Sequence, residues 1–203
     1  MARMKSCFSG DMDAWAHAHA ARGSAAMSFE PADAVQAVQL ARLTQTDSML
    51  VVALFMCCQL PARQILLGGG QAGRLAAEDA AACVDGRMRL LNDGIAATYR
   101  VFNAGRSPLC ADAKHCVRFP RAVLASRIDV DRACDGALMP VLDGWDELVD
   151  GALVDGKLCK ACGLHYKRKG LQERRAFWRR LPRYMGVQAS VWVSFDWEGD
   201  DDK

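Results

Sequence analysis

The stretch DSMLVVALFMCCQLP, Asp47 to Pro61, decides the fold class of this chain of 203 residues. Asp47 belongs to the residue types that cap helices, and Pro61 is of the type that stops them. Between them, Met49 to Leu60 is apolar nearly all round, which is typical of a helix surrounded by other elements. The stretch therefore predicts a helix in the middle of a hydrophobic core.

Apolar residues also recur at helical spacing on both sides of this stretch. They do so from Val35 to Leu43, from Leu75 to Phe102 and from Leu158 to Leu181, where Pro182 is expected to end the helix. Only Gln188 to Trp197 alternates as a strand does. The chain is therefore predicted to be all-α, an irregular multi-helix bundle with a short strand-like C-terminal tail.

Composition divides the chain into three parts. Residues 1–28 are rich in alanine and are expected to be disordered or loosely helical. Residues 29–187 are expected to form the helical module, and about half of the whole chain is apolar, enough for a sizeable core. Residues 188–203 form an acidic tail.

The sequence shows neither a secretory signal nor a run approaching the roughly 20 apolar residues that a membrane span needs. We therefore expect no membrane association and an intracellular protein, cytoplasmic or nuclear. In that setting the nine cysteines are expected to be reduced thiols or metal ligands, because disulfides are rare in reducing compartments.

Two cysteine pairs form the candidate site. Cys159 and Cys162 are spaced C-x-x-C in LCKAC, and Cys110 and Cys116 flank a polar turn. Structural zinc takes four thiolate or imidazole ligands in a tetrahedron, so the two pairs together predict a structural zinc site. His115 and His165 are spare candidate ligands. The alternative is that the four cysteines are reduced thiols that pack at a helix junction.

A basic run from Lys157 to Arg183 holds ten basic residues and one acid, Glu173. The helix face from Lys167 to Arg183 could follow nucleic-acid phosphates. It could equally be an amphipathic helix whose charges are neutralised by the acids between Asp143 and Asp155. The second interpretation is favoured, so nucleic acid is not expected as a partner.

Other patterns do not indicate an enzyme. Gly68, Gly70 and Gly73 match the G-x-G-x-x-G dinucleotide fingerprint, but the chain has no second β-α unit to build the cofactor site. We therefore interpret them as a surface loop, and expect no cofactor-binding residues. The sequence also offers no linked nucleophile and base, so we expect no catalytic residues and no small-molecule substrate.

LCKACGLHYK, from Leu158, resembles the second half of a GATA-type zinc finger, in which LCNACGLYYK supplies two of the four ligands. That family requires an earlier C-x-x-C pair. The residues in its place, Ala137 to Gly144, contain no cysteine. We therefore discount this shorter resemblance.

A longer series of features is similar to the region that follows the BTB/POZ domain in a group of basidiomycete fungal proteins. In order along the chain these are the helix Ala34 to Pro61, the long helix Leu75 to Phe102, the Cys110 to Cys116 turn, LCKAC, and RRAFWRRLPRYMGV from Arg174 to Val187. A BTB domain would precede Ala34 in that family. The resemblance thus implies a truncated gene model or a relative without that domain.

Such a family implies a protein-interaction function, because BTB domains dimerise and serve as adaptors. From the residues and the resemblance together, we expect a non-enzymatic interaction or scaffold module with an unidentified protein partner, stapled by zinc. The alternative is a zinc-dependent nucleic-acid-binding protein that uses the basic helix from Lys167 to Arg183.

Overall fold

A computed structural model describes residues 2–25, 27–68, 73–127, 141–188 and 192. These residues are predominantly helical, and the described part contains a single two-stranded sheet, so the all-α prediction is confirmed. One compact unit comprises Met1–Asp79 with Leu181–Lys203, and the other comprises Ala80–Arg180. The predicted helical module, 29–187, contributes residues to both units.

The alanine-rich N-terminal segment takes the helical alternative. It forms helices α1 (Ala2–Cys7) and α2 (Met12–Ala20), followed by strands β1 (Gly23–Ser24) and β2 (Met27–Ser28). Asp11 caps α2 by accepting a hydrogen bond from the backbone N–H of Ala14. The expectation of disorder is wrong for these residues, because Phe8, Met12 and Trp15 are buried in the first unit.

Helices α3 (Ala34–Leu43) and α4 (Asp47–Cys57) pack together in the core of the first unit. Every side chain from Met49 to Cys57 is buried, which confirms the central helix predicted from the sequence. Asp47 is the first helical residue and Thr46 holds the cap position, so the predicted cap lies one residue away. Trp15 meets Phe55 edge to face, with ring centroids 5.6 Å apart.

Helix α5 (Ala62–Leu67) follows Pro61 and ends at Gly68, which adopts a left-handed φ of +80°. A dinucleotide fingerprint needs a strand before its first glycine, whereas here a helix precedes it. The described part of this motif, Gly68 and Gly73, is consistent with the predicted loop. Gly70 lies outside the described residues.

The second unit is formed around helices α6 (Ala77–Phe102), α7 (Ala113–Cys116), α8 (Arg118–Arg127), α9 (Asp146–Val154) and α10 (Lys160–Tyr184). Phe102 is the centre of its aromatic core. Its ring centroid lies 5.9 Å from that of Phe119, 6.2 Å from that of Trp145 and 5.6 Å from that of Tyr166. Residues from four segments therefore meet at the end of α6.

Ion pairs and one close approach orient α10 within this unit. Arg180 pairs with Asp93 of α6 at 2.9 Å, and Arg100 of α6 pairs with Glu173 at 2.8 Å. Gly163 faces Leu153 of α9, and a Cβ atom at Gly163 would lie 2.8 Å from both Leu153 methyl carbons. A side chain at this position would have to displace the Leu153 side chain.

Helix α10 continues past the predicted stop. Pro182 lies inside its last turn, and the helix ends at Tyr184 before Gly186, which has a φ of +66°. The carbonyl of Pro182 accepts the backbone N–H of Val187 and helps to close this end. Of the predicted acidic tail, 188–203, the structure describes only Gln188 and Trp192, so the strand expected there lies outside the described residues.

Among the described residues, none of the helices combines the length and the apolar character needed to cross a membrane.

Candidate metal centre

Four cysteine sulfurs meet in the second unit. The Sγ atoms of Cys110, Cys116, Cys159 and Cys162 all lie within 4.8 Å of one another, and those of Cys110 and Cys159 are 4.0 Å apart. Four sulfurs at about 2.3 Å from a tetrahedral zinc ion would be about 3.8 Å apart. The observed cluster is within about 1 Å of that arrangement.

A polar loop presents the first pair. Ser107 organises the loop, because its hydroxyl accepts the backbone N–H of Leu109 and its carbonyl accepts that of Cys110. Asp112 then caps the short helix α7 by accepting the backbone N–H of His115, and Cys116 is the last residue of that helix. The turn thus places Cys110 and Cys116 side by side although five residues separate them.

The start of helix α10 presents the second pair. Cys159 immediately precedes the helix, and Cys162 lies in its first turn. The C-x-x-C step therefore spans the helix N-terminus, where backbone N–H groups lack helical partners. This position directs those N–H groups towards sulfur.

Hydrogen bonds to the sulfurs favour the thiolate form at Cys159. The backbone N–H of Cys162 and, less strongly, that of Ala111 lower the pKa of the Cys159 thiol to about 6 against the opposing effect of burial. The backbone N–H of Cys159 in turn donates to Cys116 Sγ at 3.2 Å. Thiolates bind metals, so a sulfur that is ionised near neutral pH is prepared for this role.

Burial has the opposite effect on the other two thiols, those of Cys116 and Cys162. It raises the pKa of the Cys162 and Cys116 thiols, because a lone thiolate is poorly solvated there. Burial also raises the pKa of Tyr166, next to the cluster, to about 12. A bound cation would offset this cost for the cysteines, since a coordinating thiol is deprotonated outright.

The two spare histidines are not part of the cluster. His115 is exposed, and its Nδ1 atom lies 2.8 Å from the Asp112 carboxylate. His165 is half-buried; burial, with smaller effects of Lys169 and Arg168, lowers the pKa of its imidazole. The four-cysteine set predicted from the sequence is the set that the structure brings together.

Supporting residues near the site were missed by sequence reasoning. Besides the N–H groups of Ala111 and Cys162, the backbone N–H of Ser107 is directed at Cys162 and favours its thiolate. The Ser-Pro turn before Cys110 is the one sequence signal that could have pointed to Ser107, since serine readily organises a turn. Tyr166, whose ring is fully buried beside Phe102, carried no such signal.

The basic face of α10 is partly neutralised by acids from the predicted stretch. Lys167 pairs with Asp150 at 2.6 Å, and Arg174 lies 3.8 Å from Asp146. Arg168, Arg175 and Arg179 are exposed, with no ion pair among the described residues.

Comparisons of the chain with protein-family models, with curated proteins and with solved structures found no match. The geometry of the four cysteines is compatible with a structural metal ion. A loop and a helix N-terminus each contribute two of the four cysteines, and 43 positions along the chain separate Cys116 from Cys159.

Proposed function

We propose that the second unit holds one structural zinc ion between Cys110, Cys116, Cys159 and Cys162, and that the protein is a non-enzymatic interaction or scaffold module. The observation that carries the proposal is the convergence of four sulfurs within 4.8 Å. The resemblance to the region after the BTB/POZ domain supports the interaction role, because proteins of that group act through binding to other proteins.

The ligand chemistry supports zinc. Thiolates are soft ligands, and a tetrahedral set of four selects zinc or iron–sulfur centres over magnesium or calcium. Sulfurs less than 5 Å apart fit around a single ion, whereas a multi-iron cluster would hold them further apart. Four protein ligands also fill the tetrahedron, as in structural zinc sites, whereas catalytic zinc keeps one position for water or substrate.

X-ray absorption at the zinc edge tests the metal assignment. For protein purified without chelators, we expect four sulfur neighbours at about 2.3 Å. A first shell with fewer than four sulfurs, or one containing nitrogen or oxygen, contradicts the proposed ligand set. An iron edge with no zinc would assign the same cysteines to a different metal.

A second apolar face on α6 supports the interaction role. The helix buries Cys83, Leu90 and Ala97 on one face, yet Met88 is 56 % exposed and Tyr99 51 %. Met88 and Tyr99 lie three turns apart on the same side of the helix. Exposed apolar rows of this kind mark protein-interaction surfaces more often than isolated apolar residues do.

Met88→Glu tests this interaction role, with Arg175→Glu on α10 as the exposed control. We expect proteins crosslinked to the wild type in the cells that express it to be lost with Met88→Glu and retained with Arg175→Glu. Both variants should fold, since both side chains are exposed. An unchanged crosslinked set with Met88→Glu contradicts a role for this face.

The alternative is a zinc-dependent nucleic-acid binder. The observation in its favour is the row of exposed arginines on α10, Arg168, Arg175 and Arg179, which form no ion pair with any residue that the structure describes. A filter-binding titration across salt tests it, because three phosphate contacts imply a slope of log affinity against log salt of about −2.7 on duplex DNA. Absence of binding, or binding indifferent to salt, leaves the interaction module as the supported function.

A further inference from the structure

The geometry points to a thiol switch built into the proposed zinc site: hydrogen peroxide links Cys110 to Cys159 as a disulfide and expels the metal, while Cys116 and Cys162 stay reduced. This inference rests on the proposed function. It assigns a regulation to the same four cysteines.

Exposure separates the four sulfurs into an outer and an inner pair. Cys110 and Cys159 are half-exposed, whereas Cys116 is 1 % exposed and Cys162 is 0 % exposed. A dissolved oxidant therefore reaches the outer pair first. Sites of thiol oxidation follow accessibility together with thiolate character.

The distance between the two outer sulfurs is compatible with a disulfide after a small movement. Cys110 Sγ and Cys159 Sγ are 4.0 Å apart, and a disulfide requires about 2.05 Å, so the two atoms must close by about 2 Å. Cys110 lies on the loop between α6 and α7, outside any helix, beside the exposed Leu109. The loop can supply this movement without disturbing a helix.

The sequence motif alone would favour a different disulfide. A C-x-x-C step such as Cys159 to Cys162 is the familiar redox pair. Here Cys162 is fully buried in the first turn of α10, whereas Cys110 and Cys159 are both half-exposed. The structure therefore favours a link across two segments over a link within the motif.

The reaction balances as a two-electron oxidation by peroxide. One outer thiolate attacks a peroxide oxygen, the O–O bond breaks, and a sulfenic acid and hydroxide form; the hydroxide takes a proton and leaves as water. The second outer thiolate then attacks that sulfur, the S–O bond breaks, and a second hydroxide is protonated to water. The sulfurs lose two electrons, and zinc leaves as the unchanged dication.

The product keeps the loop attached to the helix by a covalent bond in place of the metal. Only two ligands, Cys116 and Cys162, then remain for zinc, which structural sites bind with four. The metal is released, and reduction of the disulfide restores the full ligand set.

Peptide mapping after peroxide treatment tests the switch, because trypsin places each cysteine of the cluster in its own peptide. The ranges are 107–114, 115–118, 158–160 and 161–167. With zinc-loaded full-length protein and one equivalent of peroxide, we expect 107–114 linked to 158–160. A chromophoric chelator should report one zinc released per chain, and a thiol reductant should reverse both results.

Other linkages overturn the inference. The inference is wrong if the mapping finds a bond between Cys159 and Cys162 or a bond that involves Cys116. It is also wrong if zinc is released without any disulfide. These outcomes leave the zinc site intact as a proposal, since zinc was bound before oxidation. Protein that binds no zinc before peroxide is added instead contradicts the proposed function itself.

Discussion

Buried cysteines of this chain lie in different surroundings, and the difference is visible at the level of single residues. Cys83 and Cys162 are both fully buried in the second unit. Cys83 lies on the core face of α6, whereas Cys162 Sγ lies within 4.8 Å of three other sulfurs. Burial alone therefore cannot identify a candidate ligand. The proximity of other sulfur atoms is the feature that distinguishes Cys162 from Cys83.

Cys162→Ala and Cys83→Ala form a matched pair for this distinction. We expect Cys162→Ala to weaken zinc binding by more than about 100-fold, the upper end of the loss for an outer-shell partner. Cys83→Ala should bind zinc as the wild type does, with a loss of about 1 kcal/mol in the free energy of unfolding. Competition with a zinc-binding dye measures both affinities. Equal affinities for the two variants would remove Cys162 from the ligand set.

We expect substitution by alanine to change the free energy of unfolding in opposite directions at two helical glycines of the second unit. Gly151 on α9 has no atom within 4 Å of its missing Cβ, whereas Gly163 on α10 faces the Leu153 side chain at 2.8 Å. Gly151→Ala should raise the free energy of unfolding by up to about 1 kcal/mol through helix propensity. Gly163→Ala gains the same propensity but overpacks Leu153, at a cost of about 1–3 kcal/mol.

Urea denaturation of the two variants measures this difference. We expect Gly151→Ala to have a higher midpoint than the wild type, and Gly163→Ala to have a lower one. If Gly163→Ala were as stable as Gly151→Ala, the close packing of α9 on α10 would be wrong.

At the scale of elements, periodicity predicted helices well and their ends less well. The apolar run of α4 left no alternative to a buried helix, and the structure buries every residue from Met49 to Cys57. The predicted cap, Asp47, is the first residue of α4, one position after the actual cap. The predicted stop, Pro182, lies inside the last turn of α10, which ends two residues later at Tyr184. The spacing of apolar residues therefore predicts that a helix exists, but it does not predict the residue at which the helix begins or ends.

The structure of the N-terminal segment differs from what its composition predicted. Its alanine content suggested a chain unable to form a core, yet its few large residues, Phe8, Met12 and Trp15, are buried. Their partners, Phe29 and Phe55, are distant in sequence, at ring centroid distances of 5.6 Å in both cases. Such tertiary contacts override local composition.

The candidate site was predictable in its ligands but not in its surroundings. Cys159 and Cys162 were identified by their C-x-x-C spacing, and Cys110 and Cys116 as a pair that flanks a polar turn. The exposed histidine His115 shows that residue type near a site is insufficient, since its ring is held by Asp112. Backbone N–H groups directed at sulfur depend on turn geometry, which no residue type specifies.

Helix α10 has both packed and exposed basic residues, and we expect their substitution by alanine to affect stability differently. The Arg174 side chain is 18 % exposed and lies against Gly144 and near Asp146, whereas Arg175 is exposed. Arg174→Ala should lower the free energy of unfolding by about 1–2 kcal/mol, because it loses packed methylene groups as well as charge. Arg175→Ala should lie within about 0.5 kcal/mol of the wild type. Thermal unfolding at constant zinc measures both, and equal midpoints would contradict the packed position of Arg174.

At the scale of the whole molecule, the metal is expected to contribute to the stability of the fold. A ligand that binds only the folded state stabilises it by about 2.7 kcal/mol at a free concentration 100 times its dissociation constant. We therefore expect the thermal midpoint to rise with free zinc and to fall when a chelator is added. Magnesium at the same concentration is the control and should leave the midpoint unchanged, because thiolates do not select it.

Metal analysis of the purified 203-residue chain tests most directly whether four sulfurs from two distant segments hold one metal ion. Protein prepared under reducing conditions without chelator, and its Cys162→Ala variant, are measured for zinc by mass spectrometry against protein concentration. We expect one zinc per chain in the wild type and a loss of that zinc in the variant. Wild-type protein without zinc, even after dialysis against a zinc salt, would contradict it.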